Sequence, residues 1–352
     1  MALQHSARRT RTVSHLLLAG HNPVSPPASY SHPRDSLRQT SSNPSLHPVP
    51  FSTTWLASIG REVDTFHGGN RVTSVASGYG HALVAYRNWR GTDRVVAVGR
   101  NEHAQLGLGF ASQEPTRGLV EGFEGDAVLD VQAGVESSYL VLLDSVTSSS
   151  LVRDRKGKTA LFTFGNLSRG RLAHPNLFPP STPLEPHEAP SQHSLPRATK
   201  VVLPDELDLD EIQQVECGFE HVLVLTRSGT LYGSGCNTDS QLAIARSLVS
   251  TPDVYALTPI PLPVEITDQE GGVELVRAGA DTSALVTKSG KLYTWGNSEY
   301  AQACHSRKID QIHSPLSVLA SSFHLGSSDA AASGPRRIVD YRCGGSFGVV
   351  LD

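Results

Sequence analysis

Five stretches of this 352-residue chain open with a large residue, a variable one, a small one and glycine, then run into an apolar segment of strand length. They are VASGYGHALVAY from Val75, VQAGVESSYLVLL from Val131, VECGFEHVLVLT from Val215, VRAGADTSALVT from Val276 and YRCGGSFGVVL from Tyr341. Four are followed by a second landmark, an alternating segment that carries a glycine: VVAVGRNEHAQLGLG, LFTFGNLSRGRL, LYGSGCNTDSQLAI and LYTWGNSEYAQAC. The leading glycines, Gly78, Gly134, Gly218, Gly279 and Gly344, lie 56, 84, 61 and 65 residues apart. Periods of that length mean repeated multi-strand modules.

Within a module, V-x-[AC]-G predicts an inner strand and H-x-L-V-L-T its hairpin partner. R-S-G-T or K-S-G-K predicts the tight turn whose glycine supplies a positive φ. L-Y-x-W-G is the third strand, closed by Gly99, Gly165, Gly235 and Gly296 in the four modules that have it, and a variable connection leads to an outer strand. Small residues fit where inner strands converge on an axis. A four-stranded sheet cannot bury both faces alone, so such modules must pack on one another as blades. The expected fold is all-β, a β-propeller with almost no helix. With 31 glycines, 22 prolines and 6% aromatics, the composition agrees.

The pattern A-x-G-x-x-H-x-L-x-L-T…S-G-x-L-Y-x-W-G-x-N-x-x-x-Q-L-G, clearest in residues 215–244 and 276–304, resembles the repeat of the regulator of chromosome condensation (RCC) family. The resemblance runs from about residue 75 to 352 and implies an RCC-type propeller. Family members usually close seven blades, whereas about five starts are visible here, and the last blade is expected to be incomplete. In the third and fourth repeats the two landmark glycines are 17 apart, which would put the fifth repeat's second glycine at 361, beyond Asp352. A truncated gene product or isoform is the leading expectation for that count. WLASIG, residues 55–60, is a candidate closing strand, although its spacing to Gly99 is short. The second repeat is longer, with Gly134 and Gly165 31 apart. The extra residues fall near 145–158, a basic-tipped hairpin containing Arg153, Arg155, Lys156 and Lys158. A Pro-rich, then acidic stretch over 175–210 is expected to be a surface loop.

Residues 1–54 read differently from 55–352, the propeller. They hold five arginines, one acid and seven prolines, and no acid precedes Asp35. That composition predicts a mitochondrial transit segment followed by a disordered spacer, against a plain disordered tail. A secretory signal would need a longer apolar core than LLLAG. The whole chain is formally −4 and the first 54 residues are +4, so the rest is −8. An acidic body argues against nucleic-acid binding through phosphate neutralisation; direct contact would be weak or confined to a patch. No apolar run reaches the ~20 residues of a membrane-spanning helix, which leaves peripheral association open. Four scattered cysteines without a C-x-x-C pair predict reduced, mostly buried thiols.

No P-loop, dinucleotide-binding glycine motif, H-E-x-x-H or G-x-S-x-G occurs, so no enzyme, cofactor or metal site is predicted. His81 and His221 share one repeat position and are expected to be structural imidazoles bonded within their blades rather than metal ligands. Trp295 and Tyr293 are expected to pack between blades. The basic tip is the one candidate for partner contact, weighed against an ordinary solvated hairpin. The family resemblance, narrowed to a mitochondrial subgroup, implies a guanine-nucleotide-exchange-factor-like protein. Its implied partner is a dynamin-like fusion GTPase, in the matrix or on the matrix face of the inner membrane. The same subgroup suggests a second reading, a scaffold for large-subunit mitochondrial ribosome assembly and rRNA pseudouridylation, binding ribosomal or rRNA-processing proteins. A third is a truncated, inactive product.

Overall fold

Each glycine-led repeat folds as an antiparallel meander, because its apolar runs are strand-length and are separated by turns that need a left-handed residue. The computed structural model describes residues 71–123, 127–143, 158–177, 193–208, 211–245, 252–319 and 337–352, and the backbone of a paired Leu16–Gly20 and Asn43–Val49. Residues 55–60, Arg153, Arg155 and Lys156 lie outside the described residues. The first sheet orders Arg71–Ser77, His81–Arg87, Asp93–Asn101 and Ser112–Leu119. The second orders Ala127–Ala133, Ser137–Leu143, Thr159–Asn166 and Ser194–Lys200. The third has Ile212–Cys217, His221–Thr226, Leu231–Cys236 and Asp253–Pro259, and the fourth Val273–Gly279, Thr282–Thr287, Leu292–Asn297 and Gln311–Ser317. A fifth sheet pairs only Asp340–Cys343 with Gly348–Leu351.

Four apolar clusters lie at the four junctions between successive sheets. The second strand shows why: in HVLVLT every residue is buried. Val222 and Val224 pack with Tyr139, Val141 and Leu161 of the second sheet, while Leu223 and Leu225 pack with Val276, Leu285 and Trp295 of the fourth. Alternation along a strand sends successive side chains to opposite faces, so a blade interior reads as continuously apolar when both faces are covered. The fifth sheet packs Tyr341 and Val350 on Ala284, Val286 and Leu292 of the fourth. No described residue covers its other face, where Phe347, Val349 and Leu351 are about 60% exposed. They occupy the positions of Thr282, Ala284 and Val286, all buried by the following sheet.

The leading glycines mark the tightest approach between blades. A Cβ on Gly78 would overlap the carbonyl of Gly134, one on Gly218 that of Ala280, and one on Gly279 that of Cys343. Tyr79 N donates to Gly134 O at 3.0 Å and Phe219 N to Ala280 O at 2.9 Å, so the inner turns are linked by backbone from blade to blade. Gly134 packs beside Ser137 and faces Gly218 O, and Gly344 lies under the Phe347 ring. At the second landmark, Gly99, Gly165, Gly235 and Gly296 have φ between 96° and 123°. Each pairs with the first residue of the second strand, His81, Ser137, His221 and Thr282. Asn101 and Asn237 then organise the loop that follows: their Oδ1 atoms accept Leu106 N and Leu242 N, and their Nδ2 atoms donate to Phe110 O and Ile244 O.

One expectation about the elements differs from the structure. The stretch 175–210, read as a surface loop, contains Ser194–Lys200, the outer strand of the second blade. Its SLPRATK sequence carries a proline, tolerated because the strand is at the sheet edge. Helix is as scarce as expected: among the described residues it is confined to Asp205–Asp208 and Val264–Asp268, with a 3₁₀ turn at Ser168–Gly170.

Candidate interaction surface

His81 and His221 were expected to bond within their blades, but each bonds across to the next one. The Nε2 of His81 lies 2.9 Å from Ser138 Oγ, and that hydroxyl donates to Gln105 O at 2.8 Å. His221 repeats the arrangement with Ser283 Oγ at 2.9 Å and Gln241 O at 2.6 Å. Because a carbonyl can only accept, the serine donates to it, and the histidine Nε2–H donates to the serine. Burial pushes the imidazoles down, to about 4 for His81 and about 3 for His221, which keeps them neutral. Trp295 also spans its seam, its indole N–H donating to Gln241 O at 2.9 Å.

The second and third blades use charge at the corresponding place. Ser137 stands in the histidine position and Arg171 in the place of Gln105, Gln241 and Gln302. The Arg171 side chain is 3% exposed, bonds Ser168, and reaches Glu136 of its own blade at 3.3 Å and Glu220 of the next at 2.8 Å. Arg169 adds contacts to Glu220 and Asp253, each at 3.0 Å. His103 approaches Glu136 from the first blade at 3.3 Å, so the network ties three blades. The Glu136 carboxyl is held down to about 2, foremost by the hydrogen bond to His103, with Asn166 and Arg171 adding to it against burial. Residue patterns had not singled out these groups. The signal was present as a glutamate two residues after Gly134 and Gly218, and as arginine in a glutamine slot.

This network lies at the end of the blades where first strands turn into second strands and third into fourth. Tyr79 and Tyr300 are each 66% exposed there and Phe219 44%. A hollow of about 60 Å³ opens beside Tyr79 and Glu136. Its charged walls are already paired, Arg100 with Glu102 and His103 with Glu136, so it offers no free charge to a ligand. Among the described residues no group of three His, Cys, Asp or Glu side chains could hold a metal. The four cysteines are free, with Cys236 buried and the other three only partly so, which is less burial than expected.

Of the predicted basic tip, Arg153, Arg155 and Lys156 lie outside the described residues; the strand ends that it connects are at the opposite end of the blade. It joins Leu143 to Thr159, which pair directly, where other blades connect the same strands by short turns. Lys158 is half-buried at the start of the third strand. Gly78, Gly134, Gly218 and Gly279 come together in the inner ring, and Trp295 lies in a seam with Tyr293.

A family model described as "Regulator of chromosome condensation (RCC1) repeat" matches residues 212–241 and 273–302. The mouse "RCC1-like G exchanging factor-like protein" is 25% identical over 93% of this chain, which spans 59% of that relative's length. Human WBSCR16 superposes with a TM-score of 0.63 at 22% identity, covering 96% of this chain and 72% of that one. Prp20p of Saccharomyces cerevisiae, whose structure was described together with its binding to Gsp1p and histones, gives 0.58 at 17% identity, covering 89% and 59%. The matched stretches and the superpositions show that this chain carries RCC1 repeats and has the fold of the RCC1-type propellers.

Proposed function

We propose that this chain is a non-enzymatic, exchange-factor-like propeller that acts on a GTPase through the basic insertion of its second blade. The observation that carries the reading is the hairpin pairing Leu143 with Thr159: a regular blade strand pair is interrupted by a long segment bearing Arg153, Arg155, Lys156 and Lys158. The exchange-factor name of the mouse relative and the Gsp1p binding named for Prp20p support it. Exchange of this kind needs no catalytic side chain, only tighter binding to the nucleotide-free GTPase than to the loaded form. The composition of residues 1–54 supports import into mitochondria, and with it a dynamin-like fusion GTPase as the partner.

The test is release of labelled nucleotide from such a GTPase on addition of the purified protein. Acceleration that drops with Arg153→Glu plus Arg155→Glu supports the proposal. No acceleration, with the protein instead co-sedimenting with the large mitochondrial ribosomal subunit, overturns it in favour of an assembly scaffold. The acidic body would then bind through ribosomal proteins rather than RNA.

A further inference from the structure

The end of the propeller opposite the Leu143–Thr159 pair carries a second surface. Phe219 and Tyr300 project from it, 44% and 66% exposed. The backbone holds them in one patch: Phe219 N donates to Ala280 O, beside Asp281, and Asn297 N donates to Asp281 O at 2.9 Å, bringing in the loop of Glu299 and Tyr300. Gln241 donates to Asp281 at 3.3 Å and accepts from Asp239 N at 2.9 Å, so Asp239 borders the same patch. Among the described residues, none of Asp239, Asp281 and Glu299 has a cation within ion-pair distance. The nearby Arg169 and Arg171 are committed to Glu136, Glu220 and Asp253. Burial, then the neighbouring Asp239 and Glu220, raise the Asp281 carboxyl against the opposing pull of the more distant Arg169 and the hydrogen bond from Gln241.

Exposed aromatic rings interleaved with unneutralised carboxylates suit one partner chemistry. Guanidinium groups pair with carboxylates and stack on aromatic faces, whereas phosphates would be repelled. We infer that Phe219, Tyr300, Asp239, Asp281 and Glu299 form a docking surface for an arginine-containing protein segment.

The experiment measures fluorescence anisotropy of a short labelled peptide alternating arginine and leucine, with a glutamate–leucine peptide and a single-stranded RNA as comparators, on the full chain. Saturable binding of the arginine peptide is expected, weakened about tenfold or more by Phe219→Ala with Tyr300→Ala and by Glu299→Lys, and falling with added salt. Glu299 is exposed, so its substitution leaves the fold intact and its result interpretable by itself. Equal binding by wild type and Glu299→Lys, or tighter binding of the RNA, overturns the inference. The patch substitutions lie at the end of the blades opposite Leu143 and Thr159, so nucleotide release separately reports on the proposed GTPase contact.

Discussion

The imidazole of His221 in the third blade and the hydroxyl of Ser283 in the fourth stand 2.9 Å apart, and the pair ends on the carbonyl of Gln241. A side chain from each of two blades thus satisfies a backbone acceptor buried at their seam. His221→Ala removes this bridge and leaves a void in a fully packed junction. A loss of about 2–4 kcal/mol is expected, read as a lower urea midpoint, with His221→Gln losing less.

Acid should weaken the fold through the same histidines. Their folded values, about 4 for His81 and about 3 for His221, lie below the ordinary value near 6.5. The unfolded chain therefore takes up protons first, so the stability is complete above about pH 6.5 and is lost as pH falls toward the folded values. The slope should be up to about 1.4 kcal/mol per pH unit for each histidine. Urea unfolding from pH 7.5 downward checks it: a His81→Gln, His221→Gln double variant should give a flatter profile over that window. Glu136, held down to about 2, adds its own loss only below its ordinary carboxyl range.

Arg171 is buried between Glu136 and Glu220, so its removal takes a charge partner from each and empties a packed seam, leaving Glu220 to Arg169 and Glu136 to His103 and Asn166. Arg171→Ala should cost about 3–5 kcal/mol. Combining it with Glu136→Gln and Glu220→Gln should recover some of that loss, and denaturation of the single and triple variants measures the difference.

Two glycines that look alike in sequence should respond differently to alanine. Gly229 has φ of 93° with nothing near a new Cβ, so Gly229→Ala should cost only about 1 kcal/mol of backbone strain. Gly279→Ala drives its Cβ into the carbonyl of Cys343 and must push neighbouring blades apart. It should lower the thermal midpoint severalfold more.

The repeat was legible because its glycines serve conditions that admit no side chain, and those conditions recur in every blade. Strand order followed from the turn glycines and the apolar runs. Partnerships across seams were less visible: nothing local to His81 shows that it reaches Ser138, 57 residues on. Ser194–Lys200 escaped notice because an edge strand half open to solvent carries no strong alternation. The Arg171 network was hidden for another reason, since it replaces a repeat residue by one of different chemistry and so weakens the very pattern that locates it.

The uncovered side of the last sheet bears on how the molecule comes apart. In stacked modules each unit draws its stability from its neighbours, so one supported on a single side has the lowest opening free energy. Amide exchange should be fastest for Gly348–Leu351, slower in the fourth sheet and slowest in the third, which is clasped on both sides. Loss of order would then travel inward as a fraying front rather than as one concerted melt.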